Sequence, residues 1–432
     1  MSAATSLQIP SQVNAPVVTR IVTCEGEFLD LRENWQQIIS QSPQQNAIHE
    51  FEYLFGWWKA FGIRCPKSQR PGHLHVIVVS KGDAVIGILP FFYFDVSFLS
   101  LRRLRPMGYA GRLEPFDLTE EPLIAIVPGS EEIVLNESIA EIEKGLTDGT
   151  WDCAILRWFG NLQVSKRSEY WSRFKRKVGS AYVNLPRDWN TFRNGLSRSM
   201  RDNLPYYGRL LTRHGHEWHV EIITGSNWNR ALQDLIHLHR LRATLSNDPN
   251  RLSHFTHPEH VAFIDELKSL PGNTRAFVGT LRVNDEVIAA QLYLDDGLTL
   301  ICSYSGHDPA WSRYSPLFVL QVEMIKSAIA RGVKRLDLLC GEADWQERWR
   351  PTRDFPINKL TLASKRLLPT LRCVLYVLKR ESTIWWHKTR LHRWIRRQRI
   401  VQSIESLTQA CYFGHARHIH MLVTLHRMHA RY

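Results

Sequence analysis

The pattern of apolar and polar positions is most informative between residues 301 and 350. A short apolar run ends at Cys302, and the residues after it are rich in Gly, Asp, Pro and Ser, which favour turns. Apolar residues then recur at helical spacing, at Leu317, Leu320, Met324, Ala328 and Ile329. A second apolar run extends from Val333 to Cys340. The stretch therefore predicts a strand, a loop, a helix and a second strand, which together form a crossover unit.

Signals at both ends of this helix set its limits. Ser315 is a suitable N-cap, Pro316 suits the first helical position, and Gly332 suits the position after the last turn. A helix start offers unpaired backbone N–H groups and the positive end of the helix dipole, both of which favour an anion. Arg313 lies just before this start. No Walker or GxGxxG motif is present, so a phosphate site and an ordinary helix start both remain open.

The first half of the chain contains a similar pattern. Two apolar runs surround Gly82-Asp83 and two more surround Asn284-Asp285, and each pair predicts a β-hairpin. When the two turns are aligned, residues 85–87 match residues 287–289, and each hairpin precedes polar loops and a later helix. Pro90 predicts a bulge or an edge in the first hairpin. We therefore expect two copies of one mixed α/β unit.

Arginines mark residues 196–215, between the two halves. Pro205 is expected to break or kink a helix in this segment. The arginines are Arg198, Arg201, Arg209 and Arg213. They form either a solvated basic face or an anion-binding face, and the sequence leaves both interpretations open.

The basic charge of the chain is concentrated at its C-terminal end. The formal net charge is +13, and residues 364–432 contain fourteen Lys or Arg against two Glu. Trp, Leu and Ile alternate with basic residues there, which predicts basic amphipathic helices. Such helices suit an anionic membrane surface or an acidic partner, or else cover the second domain. A nucleic-acid partner is not expected, because no nucleic-acid-binding motif accompanies the charge.

Other features of the sequence favour a cytoplasmic protein. No apolar run is long enough for a membrane-spanning helix, and residues 1–18 lack the features of a secretory signal and are expected to form a flexible leader. The seven cysteines form no CxxC pair, which favours reduced thiols. The histidines match no zinc-binding spacing, so no metal site is predicted. The basic tail adds the expectation of a peripheral position at the inner membrane face.

Four stretches of the chain resemble the CelD/BcsL-type acyltransferases of the GNAT superfamily, which are related to the FemAB peptidyltransferases. These stretches are residues 197–215, 237–243, 303–332 and 335–351. The resemblance implies an α/β fold with a mixed α+β sheet in each of two tandem GNAT-like units. The expected divisions are a leader at 1–18, an N-terminal GNAT-like domain at 19–190, a C-terminal GNAT-like acyltransferase domain at 191–363 and a basic helical tail at 364–432.

The resemblance also implies transfer of an acyl group from acetyl-CoA or another acyl-CoA to an amine. Such a reaction needs a base for the amine and a proton donor for the departing thiolate. The catalytic candidates are Glu342, Asp337 and Tyr304. The candidates for binding the acyl-CoA are Arg313, Tyr314 and Ser315, and those for the acceptor are Trp345, Arg348, Arg201 and Arg240.

Two departures from the family pattern bear on these assignments. The [QR]xxGx[GA] pyrophosphate loop is absent, and Trp345-Gln346 stands where a Tyr-Lys pair is common. The leading hypothesis is an N-acyltransferase that acts on a small molecule, a sugar or an envelope precursor. The alternatives are a non-catalytic scaffold for polysaccharide or envelope biosynthesis and a FemAB-like aminoacyl-tRNA-dependent transferase.

Overall fold

The computed structural model describes residues 15–43, 45–65, 69–108, 121–162, 164, 169–177, 179–245, 255, 257–270, 274–340, 344–353 and 355–388. Within these ranges, only the backbone is described for residues 244, 245, 344 and 379–388. The strands are β1 Val17–Val22, β2 Gly72–Lys81, β3 Ala84–Phe94, β4 Arg103–Pro106, β5 Ala125–Ile126, β6 Cys153–Phe159, β7 Trp171–Lys177, β8 Ser180–Asn184, β9 Trp218–Ile223, β10 Arg275–Val283, β11 Glu286–Asp295, β12 Thr299–His307, β13 Arg335–Cys340 and β14 Ile357–Ala363.

The helices pack on two sheets. They are α1 Glu25–Asp30, α2 Arg32–Ile39, α3 Phe51–Trp57, α4 Glu131–Asp148, α5 Trp189–Gly195, α6 Arg198–Arg213, α7 Trp228–Leu245, α8 Pro258–Glu266, α9 Pro316–Ala330, α10 Asp344–Glu347 and α11 Leu367–Lys388. Short helical turns lie at Ala47–His49, Trp58–Gly62, Gly225–Asn227, Leu267–Ser269 and Pro309–Tyr314.

The two sheets repeat one strand order, which confirms the predicted pair of mixed α/β units. The first sheet runs β1-β2-β3-β4-β6-β14-β7, with β5 beside β3, and the second runs β9-β10-β11-β12-β13-β8. Each sheet contains one parallel pair, β4 with β6 in the first and β12 with β13 in the second. A long helix, α4 or α9, connects the two strands of each parallel pair, as a crossover requires.

The two predicted hairpins are also alike in detail. Gly82 in one turn, and Asn284 and Asp285 in the other, have positive φ angles, which hairpin turns of this kind require. Both hairpins contain a register shift two to three residues before the turn, after Val79 in the first and after Leu281 in the second. The duplication seen in the sequence therefore extends to the irregularities of the strands.

Each sheet contains one strand from the other half of the chain. β8 precedes the second unit's other strands and pairs with β13, while β14 follows them and pairs with β6. In these pairs apolar residues lie opposite each other, as with Val183 and Leu336 or with Leu156 and Leu360. The sheets therefore do not divide between residues 190 and 191, where the sequence placed the domain boundary.

The two exchanged strands are reached by chain segments that cross at Gly179. A Cβ atom built on Gly179 would lie 1.9 Å from the backbone oxygen of Phe355, a separation that real side chains do not show. Nearby, Tyr182 and Thr352 form a β-bridge in which each backbone N–H donates to the other carbonyl. Only glycine allows the two backbones to approach so closely at this crossing.

Two prolines were expected to interrupt regular structure. Helix α6 continues through Pro205, so the predicted break there is wrong; this proline is exposed, on the side of the helix where water can reach the backbone. Pro90 lies inside β3, between the residues that pair with β5 and those that pair with β4. Its missing N–H therefore falls where β3 changes partner on that side, which agrees with the predicted edge.

Two helices cover opposite faces of the second sheet. Apolar residues of α7 pack in the cluster that contains Val278 and Leu292, whereas those of α9 pack with Phe277 and Tyr293. Because neighbouring residues of a strand point to opposite faces, α7 and α9 lie on different sides of this sheet. The α7 side is continuous with the core of the first unit.

Within the described part of the chain, no helix combines the length and the apolar character that crossing a bilayer requires.

Replacing Gly179 with Ala should destabilise the whole chain. The added methyl group would displace the backbone at Phe355, and overpacking of this kind typically costs about 1–3 kcal/mol. Urea unfolding measures the change. Gly195→Ala is the matched control, because a Cβ at Gly195 has no atom within 4 Å and we expect a change below about 1 kcal/mol. Equal stability of the two variants would contradict the account of the crossing.

Candidate functional site

The parallel strands β12 and β13 are paired over only a short distance. Thr299, Leu300 and Ile301 lie opposite Arg335, Leu336 and Asp337, and no pair between the two strands follows. Beyond this point β12 stays paired with β11 as far as His307, while Cys340 of β13 pairs with Ser180 of β8. The two strands therefore separate and leave an opening in the second sheet with Asp337 at its inner end.

A β-bulge shapes the β12 side of this opening. Cys302 lies opposite Tyr293 and Ser305 lies opposite Gln291, so that two residues of β12 face one residue of β11. Tyr304 is one of these two residues of β12. Its half-buried ring packs against the rings of Phe255, His239 and His260, at centroid distances of 5.3, 6.4 and 6.3 Å. The predicted proton donor thus lies on the α7 side of the sheet.

Helix α9 begins at Pro316, as predicted, directly after the turn that follows β12. Ser315 occupies the N-cap position with φ 46° and ψ 57°, but its side chain makes no capping hydrogen bond. The expectation of a side-chain cap is therefore wrong, because the left-handed backbone of Ser315 turns its hydroxyl away from the first turn. The N–H groups at the start of α9 are consequently not covered by a capping side chain.

Tyr314 and Arg313, next to this helix start, differ in exposure. The Tyr314 ring is buried, and its hydroxyl contacts Nδ1 of His214 at 2.9 Å and Nε2 of His216 at 3.2 Å. Arg313 is exposed, stacks over the Tyr314 ring and donates to its hydroxyl. Tyr314 therefore positions the turn by joining it to the end of α6, whereas Arg313 faces solvent.

Asp337 is completely buried where β12 and β13 separate. Its Oδ1 accepts a hydrogen bond of 2.7 Å from the backbone N–H of Leu339, a non-glycine residue with φ 65°. Gln346 donates from Nε2 to the carbonyls of Leu338 and Leu339, at 2.8 and 3.2 Å. These contacts hold the strained end of β13 in place. Gln346, which stands where the resembled family commonly has Lys, thus supports the end of β13.

A second carboxylate, Glu121 of the first unit, lies close to Asp337. Asn46 connects the two acids, since its Nδ2 is 3.4 Å from Oε2 of Glu121 and 3.5 Å from Oδ2 of Asp337. Its Oδ1 accepts from the backbone N–H of Ile48, which turns the amide nitrogen towards the acids. All three polar side chains are buried. The junction of the two units therefore contains a buried pair of carboxyl groups.

Polar groups from both units surround this pair. Ser180 and Tyr182 of β8 donate to Oε1 of Glu121, the latter at 3.3 Å. On the other side, Nε2 of His49 lies 3.7 Å from Oε2 of Glu121, and Nδ1 of His49 donates to Asn46. Burial lowers the pKa of His49, so its imidazole is neutral near pH 7. Burial, followed by the charge of Glu121, raises the pKa of Tyr182.

The pKa of Asp337 is raised well above its ordinary value. Burial is the main cause. The neighbouring Glu121 raises the pKa further, because a second negative charge nearby opposes the ionisation of Asp337. The Leu339 N–H and Arg335 act in the opposite direction. Asp337 therefore keeps its proton to a higher pH than an exposed aspartic acid would.

The four residues proposed for the acceptor do not form one cluster. Arg201 donates to the carbonyls of Asn194 and Leu196 beside α5, whereas Arg240 of α7 donates to the carbonyl of Phe255 on the other side of the sheet. The remaining two, Trp345 and Arg348, are exposed on the segment that follows β13. Sequence spacing does not reveal which face of a sheet a helix covers. For this reason the four residues predicted to bind one acceptor lie in different places.

Two further points concern the predicted site. Glu342, the first candidate base, lies in residues 341–343, outside the described residues. Among the residues that the structure describes, no group of three or more His, Cys, Asp and Glu is arranged to hold a metal ion. Glu121 was not a candidate from the sequence, because nothing near it indicates that it meets Asp337.

One protein family and several solved structures are similar to this chain. Residues 198–347 match the acetyltransferase (GNAT) domain family. A solved structure of FemX is 10% identical, covers 84% of this chain and 99% of its own, and has a TM-score of 0.50. A tandem GNAT protein from the clavulanic acid biosynthesis pathway is 9% identical, with 81% and 99% coverage and a TM-score of 0.46. L-PGS from Bacillus licheniformis is 11% identical, with 79% and 95% coverage and a TM-score of 0.42.

The two units and the opening between β12 and β13 define a tandem GNAT-type fold, and the domain match lies in the second unit. The second unit therefore contains the stretch that matches the GNAT acetyltransferase domain, and the chain shares its fold with FemX, in agreement with the resemblance found in the sequence. No curated protein matches it by sequence.

The raised pKa of Asp337 makes the stability of the chain depend on pH. Because the folded state binds this proton more tightly than the unfolded state, wild-type stability falls as the pH rises through the folded pKa. Asp337→Asn keeps the acceptor for Leu339 and cannot ionise. Its stability relative to wild type should therefore increase with pH, by about 1.4 kcal/mol for each pH unit between the unfolded and folded pKa values.

Urea unfolding at several pH values from mildly acidic to alkaline measures this difference. Asp202→Asn is the control, because Asp202 is exposed on α6, and its curve should run parallel to that of wild type. A constant difference between Asp337→Asn and wild type across the pH range would contradict the buried carboxyl pair.

Proposed function

We propose that the chain is an N-acyltransferase that binds acyl-CoA in the opening between β12 and β13. The observation that supports this proposal is that β12 continues beyond Ile301 without β13 beside it, so that one edge of its backbone faces the opening. An extended ligand that carries amide groups can pair with such an edge as an added strand does. The pantetheine arm of CoA is a ligand of this kind.

The start of α9 suits the other end of the same ligand. It follows β12 in the chain after a short turn, it lacks a capping side chain, and the exposed Arg313 lies beside it. Backbone N–H groups, the positive end of the dipole and a guanidinium together favour a pyrophosphate. These contacts stand in for the family's glycine-containing loop, which the chain lacks. In this proposal Arg313 and Ser315 contact the donor, and Tyr314 positions them.

The chemistry assigned to this site is direct transfer. The acceptor amine loses a proton to a general base and attacks the thioester carbonyl carbon; the C–S bond then breaks, and the thiolate takes a proton from Tyr304. A phenol with a pKa of about 10 is a reasonable donor to a thiolate whose thiol has a pKa of about 8.5. Tyr304 lies on the part of β12 that no longer pairs with β13, which supports this role.

Glu342 is the proposed general base, and Asp337 is a positioning residue. Glu342 follows the last residue of β13 by two positions in the sequence. Asp337 is buried with both carboxyl oxygens in contact with Leu339 and Asn46, so it lacks room for a substrate amine. By accepting the Leu339 N–H, Asp337 fixes the end of β13.

The proposed donor is acetyl-CoA or another acyl-CoA, and the proposed acceptor is an amine of a small molecule, a sugar or an envelope precursor. Trp345 and Arg348 are exposed and follow Glu342 closely in the sequence. They are the proposed acceptor contacts, because they offer an aromatic ring and a positive charge. A cytoplasmic location accompanies this proposal, because acyl-CoA is an intracellular substrate. Arg201 and Arg240 are not part of it, since both are engaged with backbone carbonyls.

Acetyl-CoA should raise the melting temperature of the chain, because a ligand that binds only the folded state stabilises it, by about 2.7 kcal/mol at a hundred times its Kd. Arg313→Gln should weaken binding by about tenfold, through loss of a charged hydrogen bond to the pyrophosphate. Arg230→Gln, an exposed arginine of α7, is the control and should bind as wild type does. Absence of any shift with acetyl-CoA, longer acyl-CoAs and CoA would favour the non-catalytic scaffold instead.

Turnover with a panel of amines, followed by release of free CoA thiol, tests the transfer itself. Glu342→Gln should lower kcat by about a hundredfold or more and remove the acidic limb of the pH profile, as expected for loss of a general base. Asp337→Asn should have a smaller effect on kcat. The opposite ranking would contradict the assignment of the base. Transfer from aminoacyl-tRNA and not from acyl-CoA would support the FemAB-like alternative.

A further inference from the structure

Helix α11 turns two polar side chains towards the first unit and leaves several large apolar side chains exposed. Arg372 is buried and forms an ion pair with the fully buried Asp152, at 2.9 Å from Nη1 to Oδ1. Tyr376, one turn later, accepts a hydrogen bond of 3.1 Å from Arg103, whose guanidinium also lies 4.7 Å from the centre of its ring. Charge and hydrogen bonds therefore help to hold α11 against the first unit.

The opposite face of α11 is a continuous exposed apolar stripe. Its members follow helical spacing and are Leu367, Leu371, Val374, Leu375 and Leu378. The exposure of Leu367 is 88% and that of Leu378 is 61%. The stripe extends for about 16 Å along the helix, at 1.5 Å per residue. A surface helix of a globular domain normally directs such a stripe into the core, so this orientation calls for a partner.

A neighbouring loop extends the apolar surface. Phe98 and Leu99 are 71% and 59% exposed. They are held next to α11, because Nε of Arg372 donates to the carbonyl of Phe98 at 2.7 Å and its guanidinium lies 5.2 Å from the centre of the Phe98 ring. The same buried arginine therefore fixes both parts of one surface, which we call the α11 surface: the five-residue stripe with Phe98 and Leu99.

The charge around the α11 surface is basic. Lys365 and Arg366, just before the helix, are exposed. Past the stripe the sequence adds Lys379, Arg380 and Lys388 with Glu381, and it contains the pair Trp385-Trp386. An apolar helix face with basic flanks and tryptophans is the composition of helices that lie in the interface of an anionic bilayer.

We propose that the α11 surface docks on an anionic phospholipid membrane, with α11 parallel to the bilayer plane. The apolar stripe, Phe98 and Leu99 enter the boundary between headgroups and acyl chains, while the lysines and arginines contact the lipid phosphates. A second copy of the chain is a poorer partner, because it would bring two basic C-terminal segments together. This proposal goes beyond the proposed acyl transfer and does not depend on it.

Flotation of the full-length chain with lipid vesicles tests the proposal. Wild type should bind vesicles that contain phosphatidylglycerol at least about tenfold better than vesicles of phosphatidylcholine alone, and salt should weaken the binding. The double variant Leu371→Gln, Leu375→Gln should lose about tenfold in binding to the anionic vesicles, since binding scales with the apolar area buried. Both positions are exposed, so the fold and the acyl-CoA turnover should be unchanged.

Leu298→Gln is the matched control. Leu298 is 61% exposed in the turn between β11 and β12, away from α11, and the variant should bind as wild type does. Equal binding of the double variant and wild type would overturn the proposal, because the basic charge alone would then suffice. No binding of wild type to anionic vesicles would also overturn it. So would a wild-type dimer in solution that the double variant converts to a monomer, since that outcome assigns the α11 surface to a second copy.

Discussion

The exchange of β8 and β14 between the two sheets is the constraint on which the rest of this structure depends. Each sheet is completed by a strand from the other half of the chain, and the segments that reach these strands cross at Gly179. Without the other half, each sheet would lack one strand, so we expect the two units to fold together. The exchange also brings Ser180 and Tyr182 of β8 against Glu121 of the first unit.

The buried junction and the opening in the second sheet are parts of one arrangement. Where β12 and β13 separate, Asp337 holds the left-handed Leu339 on one side and meets Asn46 of the first unit on the other. A buried carboxyl pair contributes little to the stability of a fold, because removing charged groups from water costs free energy. Its position indicates a different use, namely to fix the end of β13, which Glu342 follows in the sequence.

Local patterns in the sequence predicted the repeated elements well and the long-range partners poorly. The two hairpins and the start of α9 at Pro316 follow from turn residues and helical spacing, which act over a few residues. The exchange of β8 and β14 depends on which distant edge each short strand meets, and nothing near them encodes it. For the same reason, Glu121 was not among the candidates from the sequence. Arg201 and Arg240 were assigned to one site, although they lie on different faces of the second sheet.

Hydrogen exchange tests most directly whether the acyl donor binds where β12 separates from β13, as we propose. Backbone amides exchange slowly when a ligand pairs with them. With acetyl-CoA added to the full chain, we predict slower exchange in residues 302–307 of β12 and at the start of α9, and no change in β4 and β6 of the first unit. Protection confined to the first unit, or no protection at β12 under conditions where acetyl-CoA is turned over, would contradict the account.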